Sequence, residues 1–274
     1  MTSLINKDDT LFLYYTKLLK GDQIDESVLQ LRDEFKFEWL LRNLDLPSQL
    51  KVRNIKNELD RYVKLINMLI LSYVVSNFEN KMSKLEMTRN KYGKPKMLNK
   101  KYQFNISDEN GLVSIAIGFN ENMEAEDIGI DLANPKDIER FELSDLAHFY
   151  RKDFRGIFSD KEVEWLDQEF ERLDYDKRLH LLSQCWALKE SYCKYLGVGI
   201  TAGMENFPFT DFSVLKNAHG DCFELSPIVG YKPLNICLKI PESEIILSVF
   251  SHYSKVKLEK IDVKMIIDYF LNKV

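Results

Sequence analysis

Apolar residues recur at helical spacing over 26–41 and 50–78, and again over 135–150, 160–172 and 177–196, predicting a helix at each. A last helix over 261–272 takes Ile266, Ile267 and Phe270 as its apolar face. Elsewhere the pattern alternates. Val113, Ile115, Ile117 and Phe119 share one side of a strand over 112–119. Ile128, Ile130 and Leu132 share one side of a second strand over 127–132, with Gly129 and Asp131 on the other side and Asn134-Pro135 as its stop. The polar link 120–126 suits a hairpin joining these two strands, which brings a loop at 104–109 towards Asp131. Alternation over 211–216, 223–229, 235–240 and 244–251 reads as a meander. Strands followed by helices on one side indicate an α+β fold.

The helix at 177–196 carries chemistry. At about 100° per residue, Leu181, Cys185, Leu188, Tyr192 and Leu196 form one apolar stripe. Trp186, Glu190 and Lys194 stack one turn above another on roughly the opposite side. A solvated face rarely carries a tryptophan, so this one is expected to line something. Taken alone, Glu190 and Lys194 read equally well as a surface ion pair worth a few tenths of a kcal/mol. Asp131, beside a glycine near the end of its strand, is an oxygen ligand suited to a hard cation, although alone it reads as an ordinary strand-ending acid. Further upstream, Gly93-Lys94-Pro95 makes a turn with a rigid exit and a cation at its tip, able to meet a phosphorylated ligand. It is not a Walker loop, since the second glycine and the following helix are missing.

Composition narrows the classes. A net charge of −5 argues against nucleic acid as the main partner. With 45% hydrophobic and 30% charged residues, the 274-residue chain has the balance of a soluble globular protein, long enough for two compact halves. The longest apolar run, near 65–75, is interrupted by Asn67 and too short for a membrane span, and no signal-peptide pattern opens the chain. Cys185, Cys193, Cys222 and Cys237 show no paired metal or redox spacing, so a reducing cytoplasm is the expected location. Basic residues cluster twice, at Lys91, Lys94, Lys96, Lys100 and Lys101, and at Lys51, Arg53, Lys56, Arg61 and Lys64.

In order along the chain, Tyr92-Gly93-Lys94-Pro95, Phe104-Asn105-Ile106-Ser107, Ile128-Gly129-Ile130-Asp131 and Trp186-x-x-Lys189-Glu190-x-x-x-Lys194 resemble the signature set of the long-form 4′-phosphopantetheinyl transferases. Phe158-Ser159-x-x-Glu162, the usual helix start before the last of these, is present too. The segment 188–194 is similar to the core of the fungal enzymes that activate α-aminoadipate reductase in lysine biosynthesis.

The resemblance implies two similar α/β halves packed face to face, here 1–124 and 125–274, with coenzyme A between them. It implies transfer of 4′-phosphopantetheine from coenzyme A to a serine of an apo carrier domain, that of α-aminoadipate reductase first and other acyl or peptidyl carriers as further candidates, by a monomeric, Mg2+-dependent enzyme. Carried over residue by residue, Asp131 and Glu190 are metal ligands, Glu190 is also the general base, and Lys194 is the cation beside the phosphates. Lys189, at the edge of the apolar stripe, ranks below these as a cofactor-binding residue. Two departures stand out. Ala133 occupies the place of a second acid, so either water fills that position or another carboxylate approaches, with Glu109 the candidate third metal ligand. Asp108 stands where many relatives have a histidine for the 3′-phosphate, which leaves Ser107, Lys94, Arg53 and Arg61 to hold it. The competing reading is a non-catalytic protein that binds coenzyme A or carrier domains.

Overall fold

The computed structural model describes residues 9–81, 85–98, 101–119, 127–139, 146, 149–199, 203–210, 216–217 and 222–272. In chain order these form β1 (Thr10–Lys17), β2 (Leu19–Lys20), β3 (Gln23–Ile24), α1 (Glu26–Leu29), α2 (Glu34–Leu41), α3 (Leu46–Arg53) and α4 (Glu58–Glu79). There follow β4 (Met87–Arg89), β5 (Pro95–Met97), β6 (Tyr102–Glu109), β7 (Leu112–Phe119), β8 (Gly129–Ala133), α5 (Pro135–Glu139), α6 (Asp160–Arg172) and α7 (Tyr175–Leu196). The rest is β9 (Lys216–Asn217), β10 (Cys222–Glu224), β11 (Ser226–Pro227), β12 (Leu234–Lys239), β13 (Ile246–Ser251), β14 (Lys255–Lys260) and α8 (Val263–Leu271). The fold is α+β. Among the described residues, no helix is long and apolar enough to cross a membrane.

Two of the expected helices are broken by their own polar residues. Asp33 turns out of the helix and accepts from the Phe35 and Lys36 amides, so 26–41 becomes α1, a 3-10 turn and α2. Asn57 caps α4 through the Asp60 amide and separates it from α3. The helix expected at 135–150 is seen as α5 and a π-helical turn at Phe149–Asp153, and most of 140–148 lies outside the described residues. Most of the strand expected at 211–216 lies outside them as well.

The hairpin is a correction. β7 pairs with β6, not with the strand that bears Asp131. Asn110 and Gly111 join them with φ of 43° and 76°, the two left-handed residues of a tight two-residue hairpin turn. Asn-Gly between alternating runs is the strongest short-range hairpin signal, and it outweighs the longer polar link 120–126. The segment 104–109 is therefore strand, not loop, and no hairpin between β7 and β8 draws Glu109 towards Asp131. The first sheet runs β10-β14-β1-β7-β6 and takes strands from both sides of residue 124. The second runs β11-β12-β13-β8, with β9 also on β12.

Two compact units divide the chain. One comprises Leu13–Glu86, Ile106–Ile115 and Leu258–Val274. Its core is the apolar face of α4, including Leu65, Ile66, Leu69 and Ile70, with Ile266, Ile267 and Phe270 of α8 buried as the sequence pattern predicts. Trp39 of α2 donates its indole N–H to the Phe270 carbonyl at 3.1 Å.

The other unit comprises Met1–Phe12, Met87–Asn105 and Ala116–Lys257. Here α7 lies across β8 and β13, and β8 is buried throughout. Gly129 permits that approach, because a Cβ there would meet the Ser191 carbonyl oxygen at 1.9 Å and the Tyr195 amide nitrogen at 2.4 Å. Both atoms are helix backbone and cannot swing aside. Gly129→Ala is expected to cost at least about 1–3 kcal/mol of stability, read as a lowered midpoint in thermal or urea unfolding.

Candidate active site

Asp131 sits midway along β8, on the side that faces α7. Its Oδ1 accepts a hydrogen bond from Lys194 Nζ at 2.6 Å, a charge-assisted contact in which Asp131 is buried and Lys194 is 30% exposed. Glu190, one turn before Lys194, is 8% exposed. Burial, and after it the charge of Asp131, push its carboxyl up to about 7 from the ordinary 4.5, while Lys194 pulls the other way. Trp186 completes the face: it packs on Ala133, Ala187 and Ile246 and meets Phe154 edge-on at 5.2 Å. The structure thus brings Asp131, Glu190 and Lys194 together, with two carboxylates competing for one ammonium.

That donor set fits a hard divalent cation. Two neighbouring carboxylates that disfavour each other's charge are relieved by a cation with oxygen preference, and a small one keeps waters or substrate oxygens in its other positions. Among the described residues, no group of three or more His, Cys, Asp and Glu side chains is gathered for metal binding. Glu109 belongs to the other unit, about 13 Å along β6 from Asn105.

Lys189 departs from its expected role. Its ammonium is wholly buried and bonded to Glu162 Oε2 at 2.7 Å, the Met204 carbonyl at 2.9 Å and the Phe207 carbonyl at 3.1 Å. Those contacts occupy all of its N–H groups and leave none for a cofactor. Burial draws its pKa below the ordinary value, and Glu162 acts against that shift. Glu162 in turn completes the capping box with Ser159 at the start of α6, and its Oε1 accepts the Phe209 amide at 2.8 Å. The residue beside Glu190 thus anchors the segment 204–209.

A family model described as the 4′-phosphopantetheinyl transferase superfamily matches residues 127–228, a span that holds Asp131, Glu190 and Lys194. A Candida glabrata protein named L-aminoadipate-semialdehyde dehydrogenase-phosphopantetheinyl transferase is 30% identical over 207 residues, covering 75% of this chain and 75% of the relative. The chain belongs to the 4′-phosphopantetheinyl transferase superfamily. A Saccharomyces cerevisiae protein of the same name is 27% identical over 265 residues, 91% of this chain and 89% of that one. A Campylobacter hominis holo-acyl-carrier-protein synthase is 35% identical over 111 residues, 40% of this chain and 79% of the synthase.

Of the other candidate residues of this transferase, Lys94 and its neighbours, with Asn105, are tied to the strand that bears Asp131. Lys94 is half-buried, and its Nζ donates to the Ile128 carbonyl at 3.0 Å, Asp127 Oδ1 at 3.2 Å and the Tyr195 carbonyl at 3.4 Å. Desolvation lowers its pKa, against the pull of Asp127. Its N–H groups are occupied by the protein, so the structure makes Lys94 a strap between β8 and the end of α7 instead of a free phosphate contact. Asn90 sets up this turn: its side-chain oxygen accepts the Tyr92 and Lys94 amides at 2.9 Å each, and its amide donates to the Gly197 carbonyl at 2.8 Å. Asn105 of the FNIS segment accepts the Ile130 amide at 2.9 Å, so that motif also steadies β8.

Ser107, Asp108, Arg53 and Arg61 lie in the helical unit with Glu109. Ser107 is a buried residue of β6. Asp108 accepts from Asn67 of α4 at 2.5 Å, which accounts for the polar break in the apolar run there. Arg53 is paired with Glu38, and the Arg61 guanidinium lies 5.6 Å from the centres of both the Phe37 and Tyr62 rings. In the sequence, Ser159-x-x-Glu162 reads as a helix start. The capping box was legible, but nothing in the spacing said that the glutamate would be buried against Lys189.

Proposed function

We propose that this transferase moves 4′-phosphopantetheine from coenzyme A to a serine of the apo carrier domain of α-aminoadipate reductase, releasing adenosine 3′,5′-bisphosphate. The names of the two fungal relatives support that carrier, and the pairing of buried Asp131 with half-buried Lys194 beside Glu190 is the observation that carries the chemistry. The serine oxygen attacks the phosphorus that bears the pantetheine arm, and the P–O bond to the leaving adenosine bisphosphate breaks. Glu190 accepts the serine proton; in the metal-free site, burial and then the charge of Asp131 raise its carboxyl, which makes it a stronger base than an exposed carboxylate. Lys194 is the fixed cation for the diphosphate charge, held in place by Asp131. Asp131 and Glu190 would hold Mg2+, which when bound neutralises charge on the diphosphate.

The non-catalytic alternative draws no support from the relatives, each of which is named as an enzyme. Two similar halves belong to the same proposal. The 22-residue helices α4 and α7, one on each side of residue 124, support them.

The test is incubation of the protein with coenzyme A, Mg2+ and the apo reductase carrier domain, followed by mass spectrometry of the carrier. One added phosphopantetheine is expected, and excess chelator is expected to abolish the gain. Full transfer in chelator would remove the metal from the mechanism, and no transfer in Mg2+ would remove this carrier.

A further inference from the structure

We propose that Ser191 and Ser248 are positioning residues that set the separation of the two site carboxylates. This rests on the proposed transferase chemistry, but its test below is independent of turnover as well. Ser248 is the cross-strand partner of Asp131 in the β13–β8 pair, so the two side chains stand next to each other on the same side of the sheet. Ser191 follows Glu190 on α7. The serine oxygens are 2.8 Å apart and both residues are wholly buried. Two polar rungs therefore join helix to sheet: Lys194 to Asp131, and one turn earlier Ser191 to Ser248.

Counting protons orients the second rung. Ser191 has one hydroxyl proton, and its shortest acceptor is the Ala187 carbonyl at 2.6 Å. Its oxygen then accepts from the Ser248 hydroxyl. The Ser248 oxygen accepts from Asn235 Nδ2 at 3.2 Å, whose other proton goes to the Val249 carbonyl at 2.8 Å. The chain thus runs Asn235 to Ser248 to Ser191 to the backbone of α7. Both hydroxyls are wholly buried, so sliding the helix along β13 would part them away from water, at the cost of a buried hydrogen bond. The close approach at Gly129 and the Lys194–Asp131 rung also tie α7 to β8, and the hydroxyl chain adds the wholly buried polar link to β13. Glu190 and Asp131 each adjoin one of its members.

The experiment compares wild type, Ser248→Ala, Ser191→Ala, the double variant and Ser248→Thr. Ile246→Val is the control, since it trims the same interface and leaves both hydroxyls in place. Two quantities are read: kcat and KM for transfer, and Mn2+ affinity by calorimetry without coenzyme A. Each alanine variant is expected to lower kcat about 10-fold with KM for coenzyme A within about twofold, and to weaken Mn2+ about as much. The double variant should be no worse than the poorer single one, because the pair acts as a unit. Ser248→Thr should recover part of both losses, while Ile246→Val should lower the melting temperature with kcat unchanged.

Alanine variants that melt earlier yet keep wild-type kcat and Mn2+ affinity would overturn the proposal. So would single effects that simply multiply. An inactive wild type would reject the proposed reaction, and the Mn2+ series would still decide the positioning role.

Discussion

Glu190→Gln lowers the turnover of phosphopantetheine transfer by at least about 100-fold while the protein stays folded, because one change removes the base and a ligand charge. Near-normal turnover in this variant would place the chemistry elsewhere. The same substitution is expected to stabilise the metal-free protein above neutral pH. The Glu190 carboxyl is raised from 4.5 to about 7 in the folded state, so between those values the native protein holds a proton that the unfolded chain has released. Stability contributed by this group therefore falls as pH rises through that window and is lowest above it. A neutral glutamine escapes the penalty, by an upper limit of roughly 3 kcal/mol. Urea unfolding in chelator at pH 5 and pH 8 checks the sign. Glu190→Gln should gain relative to wild type at pH 8 and be close to it at pH 5. Stabilisation with lost activity is what a group held against its own preference for the sake of function should give.

Lys189→Met should have the largest structural effect. The methionine stem fills much of the volume, but the Glu162 carboxylate and the Met204 and Phe207 carbonyls lose a buried donor together. Breaking one side of a buried pair costs about 3–5 kcal/mol, since the surviving charge stays desolvated. Chemical denaturation should show that loss. The segment 204–209 should become more open to proteolysis, because the lysine and Glu162 are what tie it to α6 and α7. Activity lost on warming, with KM for coenzyme A little changed in the cold, would mark the residue as structural. A large selective rise in that KM would return Lys189 to the cofactor.

These two neighbours show how far the sequence reaches. Both stand in one motif on one helix, and spacing alone ranked Lys189 below Glu190 because it lies near the apolar stripe. The span of α7 was legible, as were the strand with Asp131, the capping box of α6 and the apolar face of α8; the stripe expected on α7 was not borne out, since Leu196 is exposed while Lys189, Glu190 and Ser191 are buried. All of these depend on the order of residues within a few turns, where 3.6-fold and two-fold repeats leave a clear trace.

Partner choice was not legible in the same way. Asn110-Gly111 signals the β6–β7 hairpin, whereas the expectation rests on the link 120–126 alone, and with it goes the placement of Glu109. The family motifs carried the identity of the site acids, yet only the packed structure separates the lysines. Lys194 reaches Asp131 and remains partly exposed, whereas Lys94 and Lys189 are enclosed by carbonyls and carboxylates from distant segments.

From its sequence alone, then, this protein has its helical and strand periodicities, its caps and turns, and the residue types of a carboxylate–lysine site. The tertiary structure alone decides which strand lies beside which, which cations are occupied, and how far Glu190 is driven from its ordinary acidity. The reason is physical: local periodicity follows from backbone geometry, whereas burial and charge coupling depend on residues that meet only after the chain has folded.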